Sequence, residues 1–251
     1  MDRDTDIGGS GGRFPATRWS VITAARGPDP EARRLAFEAL VAAYWKPVYK
    51  YLRIRFRLDN EDAKDLTQGF FAVAFEKGFF DAYDPARARF RTFLRTCLDR
   101  FAANQRKAAS RLKRGGQALL VPLDFEGAEG ELKLQPADPG ADLEALFRRE
   151  WVRHLFGQAV EALRRHCAEG GKDVHFALFR RYDLDADEAE TPPSYAELAE
   201  ELAIPVTQVT NHLAWARREF RRLVLDTLRH VVGSEEEFRA EAREILGTDI
   251  S

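Results

Sequence analysis

Apolar residues recur at the i, i+3, i+4 spacing of a helix in segment after segment, while the strict alternation of a half-buried strand is nearly absent. This periodicity points to an all-α chain. The first packed unit opens at the punctuation Pro28, Asp29, Pro30, after which Leu35, Phe37, Leu40, Val41, Tyr44 and Trp45 mark one helical face. Pro47 is expected to kink or restart that helix, because it brings no N–H and its ring crowds the preceding turn. Asp59 or Asn60 can cap a further helix over residues 61–77, with Ala63, Leu66, Phe70, Val73 and Ala74 inward and Asp62, Asp65 and Gln68 facing elsewhere. In residues 90–111, Phe90, Phe93, Leu94, Cys97, Leu98 and Phe101 form the buried stripe. Arg91, Arg95, Arg100, Arg106 and Lys107 are expected outside it.

At 251 residues, 45% of them hydrophobic, the chain is long enough for two cores of ordinary domain size. We divide it into an extension (1–29), a helical domain (30–116), a flexible linker (117–142), a second helical domain (143–233) and an acidic tail (234–251). The linker assignment follows from Pro122, Pro136, Pro139 and interspersed glycines among acids. The formal net charge of −2 hides a strong asymmetry. Between Ala86 and Gly116, eight arginines and two lysines face one acid, Asp99, an excess that suits a polyanionic partner.

Several function classes fall away. Cys97 and Cys167 are the only cysteines and stand far apart, so neither a disulfide framework nor a zinc site is expected. The five histidines show no triad or metal spacing, and no cofactor or metal is expected. No run of about 20 apolar residues could span a bilayer, and residues 1–12 do not resemble a signal peptide. A cytoplasmic, non-enzymatic protein is expected.

The sharpest motif occupies residues 194–222, where a helix-turn-helix is expected. Ser194 and Glu197 complete a capping box, Leu198, Ala199 and Leu202 face the core, Ala203 and Ile204 make the turn, and Pro205 to Thr207 open a second helix with Val209 and Leu213 inward. Thr207, Gln208, Thr210 and Asn211 then fall on the opposite face near the helix N-terminus, where recognition helices meet base edges. Arg217, Arg218, Arg221 and Arg222 follow where phosphates would lie.

Both units, in this order, resemble the sigma-70 family of bacterial RNA polymerase sigma factors, specifically the extracytoplasmic-function group. DAKDLTQGFFAVAFEK (residues 62–77) resembles the family's region 2.2, FRTFLRTCLDRFAANQRKAASR (residues 90–111) regions 2.3 and 2.4, and the helix-turn-helix region 4.2. FPATRWSVITAA, AYWKPVY, DLTQGFF and LKRGG are similar to a long subgroup from bacteria such as planctomycetes.

The resemblance implies that Asp62, Asp65 and Gln68 contact the basic coiled coil of the polymerase β′ clamp, with the β subunit a further partner. Arg91, Arg95, Arg100, Asn104, Arg106 and Lys107 would face the −10 promoter element, where the family traps unpaired bases. Thr207, Gln208, Thr210, Asn211, Arg217 and Arg218 would read the −35 element. The chain departs from the family pattern in four places: Lys64 stands for an acid, Arg100 for an asparagine, Ala203 for the turn glycine, and Thr210-Asn211-His212 for a more basic triplet. An anti-sigma factor or a serine/threonine kinase would be a regulatory partner, with Thr67 the candidate phosphorylation position beside the clamp surface. Two alternatives stay open: a DNA-binding regulator that never engages polymerase, and a nucleic-acid-processing enzyme holding a metal through Asp62, Asp65, Asp81 and Asp84.

Overall fold

The computed structural model describes residues 20–108, 123–134, 142–185 and 193–247. Among them are ten α-helices and no strand, so the chain is all-α. None of these helices is long and apolar enough to cross a membrane.

Helix α1 (Ser20–Ala24) leads into α2 (Pro30–Arg55), whose N-terminus is capped by Asp29 accepting the Glu31 N–H at 3.1 Å, with Pro30 in the first turn. The expected restart at Pro47 does not occur; α2 runs unbroken to Arg55. A neighbouring helix helps. Pro47 deprives the Ala43 carbonyl of its helical donor, and the carbonyl one residue before it, that of Ala42, accepts from Gln158 Nε2 at 3.0 Å and from His154 Nε2 at 2.7 Å, which ties this turn to that helix. Helix α3 (Asn60–Glu76) is capped by Asp59, which accepts the Asp62 N–H at 2.8 Å. A short 3₁₀ turn (Phe79–Ala82) then leads to α4 (Phe90–Ala108).

The segment read as a flexible linker contains a seated helix, α5 (Phe125–Leu134). Phe125 meets Trp45 and Tyr49 edge-on, both at 5.2 Å. Glu129 pairs with Arg53 at 2.6 Å and accepts from the Tyr49 hydroxyl at 2.7 Å. Glu131 pairs with Lys46 at 2.8 Å and with Lys50 at 2.6 Å. The acidity that looked like solvation is the complement of three cations on α2. Lys50 is only 1% exposed and also pairs with buried Glu150 at 2.8 Å, a desolvated pair from which the network runs out to partly exposed Glu131 and Lys46.

Helix α6 (Leu143–Glu169) is followed by α7 (Asp173–Phe179), a π turn (Arg180–Leu184), α8 (Tyr195–Glu201), α9 (Val206–Val231) and α10 (Glu235–Leu246). The largest hydrophobic cluster joins α2, α3 and α4 to the first half of α6, the last turns of α9, and Phe238 and Ala242 of α10. Trp151 of α6 stacks on Tyr44 at 6.2 Å and 11°, and the Tyr44 hydroxyl donates to the Val231 carbonyl at 2.9 Å. The core therefore continues across residues 117–142, and the expected tail is one of its walls. Smaller clusters, centred on Leu198, Val209 and Leu213 and on Leu163, Cys167 and Ala216, pack the other end.

Burial pushes the His154 pKa down to about 4, so the ring is neutral and donates to Ala42. A folded pKa below the unfolded value near 6.5 gives stability that is complete above pH 6.5 and is lost as pH falls toward 4, on the order of 2–3 kcal/mol. Urea unfolding across this window should show the decline, and His154→Gln, which keeps an amide donor for Ala42, should flatten it. An equally steep decline in the variant would assign the effect elsewhere.

Candidate nucleic-acid interface

Three surfaces hold the residues singled out by sequence. On α3, Asp62, Asp65 and Gln68 are all exposed, as helical phase requires when Ala63, Phe70, Phe71 and Ala74 are buried. Lys64 pairs with Glu61 at 2.9 Å, which offsets its charge within the helix. Thr67 differs from expectation. It is 0% exposed and its hydroxyl donates to the Ala63 carbonyl at 2.7 Å, so it belongs to the packed face and offers no accessible oxygen for a phosphate. Asp81 and Asp84 lie in the loop after α3 and do not join Asp62 and Asp65; among the described residues no three His, Cys, Asp or Glu side chains gather around a possible metal position.

The arginines of α4 separate into two groups. Arg91, expected outside the buried stripe, is 6% exposed: its Nε donates to Glu241 at 2.9 Å and its guanidinium lies 5.8 Å from the Trp151 ring centre. The correction has a tertiary cause, because α6 and α10 cover the flank on which Arg91 stands. Arg95 is half-buried and pairs with Glu144 at 2.6 Å and Asp99 at 3.6 Å. Arg100 and Asn104, one turn and two turns further on, are exposed. Arg106 and Lys107 lie in the last turn of α4, and their side chains fall outside the described residues.

Arg100 and Asn104 border an open cleft of about 500 Å³ between the end of α3, the 3₁₀ turn and α4. Its walls are Val73, Phe79, Phe93, Cys97 and Phe101, and Lys77 and Gln105 complete the polar rim. An aromatic cavity with cationic and amide groups at its mouth can stack a planar base, hydrogen-bond its edge and hold the attached phosphate. Sequence reading placed Phe93 and Phe101 in the core stripe and missed Phe79. Only the approach of the 3₁₀ turn to α4 turns the three rings into walls.

The third surface lies on α8 and α9. Ser194 and Glu197 form the expected capping box, with Glu197 Oε2 accepting the Ser194 N–H at 2.7 Å and Ser194 Oγ accepting the Glu197 N–H at 3.3 Å. After Leu202, the Ile204 N–H reaches back to the Ala199 carbonyl at 3.0 Å and the Ala203 N–H to that of Glu200 at 3.3 Å, the paired bonds of a Schellman ending. Ala203 accordingly sits in the left-handed region at φ 51°, where glycine is the usual residue. The turn aims α9 so that Val209, Leu213 and Ala216 are buried while Thr207, Gln208, Thr210 and Asn211 are exposed near its N-terminus.

No family model, curated protein or solved structure matches the chain.

Arg217 and Arg218 are both exposed but differ in state. Arg217 grips Asp183 through Nε at 3.0 Å and a terminal nitrogen at 2.7 Å, over the Tyr182 ring at 5.3 Å, so its charge is already answered. Arg218 has no ion pair among the described residues. Behind the exposed face, the His212 and His175 rings lie 3.9 Å apart, and burial, together with the His212 and Lys172 charges, holds His175 below the ordinary histidine range. The sequence offered no sign of this pairing, because 37 positions separate the two residues.

A left-handed alanine costs about 1–2 kcal/mol, part of which a glycine would return through the greater freedom of the unfolded chain. Ala203→Gly should therefore stabilise the protein by about 0.5–1 kcal/mol in denaturant unfolding. A loss of stability would mean that the turn is not left-handed.

Proposed function

We propose that this chain is a sigma factor. It binds core RNA polymerase, at the β′ clamp and the β subunit, and directs promoter recognition, DNA melting and transcription initiation. The observation that carries the reading is the aromatic cleft beside Arg100 and Asn104. It lies on the helix whose sequence resembles sigma regions 2.3 and 2.4, where an unpaired base has to be held. The exposed row of Asp62, Asp65 and Gln68 on α3 supports it, since two carboxylates and an amide suit a basic coiled coil.

In this reading α8 and α9 are a helix-turn-helix that places Thr207, Gln208, Thr210 and Asn211 against base edges of the −35 element, with Arg218 toward phosphate. Arg217 joins them by exchanging Asp183 for a phosphate. The surface on α3 and α4 and the surface on α8 and α9 then make separate modest contacts on one promoter, and attachment to polymerase raises their effective concentration there. Catalysis remains with the polymerase.

The test is reconstitution. The chain should co-purify with core polymerase and support run-off transcription, whereas Asp62→Ala/Asp65→Ala/Gln68→Ala should lose co-purification. Arg100→Ala should keep polymerase and weaken capture of the unpaired promoter strand about tenfold, and Gln208→Ala should alter base preference only at the upstream element. A chain that binds promoter DNA yet never associates with core polymerase would sink the reading in favour of a free-standing regulator.

A further inference from the structure

The acidic C-terminal helix is seated on cations of the segment that the proposed function assigns to DNA, and this inference rests on that reading. Glu241 of α10 is 0% exposed, and one of its oxygens accepts from Arg89 at 3.0 Å and from Arg91 at 2.9 Å. Its other oxygen is buried without a hydrogen-bond partner among the described residues. Glu244 bridges Arg89 at 2.7 Å and Arg148 at 3.1 Å. Glu237 accepts the Phe90 N–H at 2.7 Å, at the first residue of α4, and the Tyr83 hydroxyl at 3.0 Å.

This arrangement has the chemistry of a phosphate site filled from within. A carboxylate shared by two guanidinium groups, beside a second carboxylate that caps a helix N-terminus, presents negative charge where a nucleic-acid backbone would. The apolar hold on α10 is limited: Phe238 and Ala242 are its fully buried hydrophobic residues, and Ile245 and Leu246 are half-buried against the same core. A buried carboxylate with one orphaned oxygen is an imperfect permanent pair, since the unanswered oxygen carries a desolvation penalty.

We propose that α10 is an internal competitor for nucleic acid: it occupies Arg89 and Arg91 at the start of α4, on the flank opposite Arg100, and a nucleic-acid phosphate reaches those arginines only once α10 has left. Release by a stronger polyanion would couple engagement of the strand to freeing the C-terminal helix.

Hydrogen exchange of the full chain, with and without a saturating 20-nucleotide single-stranded DNA, tests this directly. Bound DNA should protect α4 and speed exchange in residues 235–246. In parallel, fluorescence anisotropy should show Glu241→Gln/Glu244→Gln binding the same oligonucleotide at least fivefold more tightly. Its salt dependence should be steeper by about one to two phosphate contacts, each worth roughly 0.7 in the logarithmic slope. DNA bound with unchanged α10 exchange, or equal affinity of a folded variant, overturns the competitor and leaves the nucleic-acid reading standing. If the variant does not fold, exchange in the unaltered chain decides. Absence of binding by every form removes both.

Discussion

The arrangement depends on α6 being a single rod of 27 residues that serves two cores. At 1.5 Å per residue it is about 40 Å long, more than one small core can cover. Phe147, Trp151 and Leu155 enter the large cluster against α2, whereas Leu163 and Cys167 pack under α7 and α9. Helix α9 repeats the device in the opposite sense: Val209 and Leu213 belong to the far cluster, and Val224 and Leu228 return to the large one. Two long helices thus bind together parts of the chain that are remote in sequence.

Charge completes what apolar packing starts. The basic flank of α2 is answered by Glu129 and Glu131 of α5 and Glu150 of α6, the N-terminal half of α4 by Glu144, Glu237 and Glu241, and Arg89 just before it by Glu241 and Glu244. Breaking one partner of such buried pairs is costly, because it leaves an uncompensated charge in the interior. The same neutralisation decides which cations remain available to a partner. Arg100 and Arg218 stay exposed without an ion pair among the described residues, while Arg91 and Arg217 are already engaged.

Periodicity carried much of the candidate site. The exposed faces of α3 and α9 follow from phase along one helix, so Asp62, Asp65, Gln68 and the polar group from Thr207 to Asn211 were legible without tertiary information. The Ser194 cap and the Ala203 turn were legible for the same reason, since caps and turns are local chemistry. Arg91 was not, because its exposure depends on α10, 150 positions away. Thr67 was misplaced by its sequence surroundings: it lies between exposed Asp65 and Gln68, but helical rotation carries it inward beside Ala63 and Phe71.

The amino-acid order alone determined that the chain is helical, where several helices begin and end, and which polar residues share a face, all consequences of backbone chemistry and a 3.6-residue repeat. Tertiary structure decided which of those faces stay open. It made walls for a cleft from Phe79, Phe93 and Phe101, seated an acidic linker and an acidic tail on basic helices, and removed Arg91 from the surface. The reason is that composition states how much charge a segment carries, whereas only the fold states which opposite charge it meets and whether water lies between them.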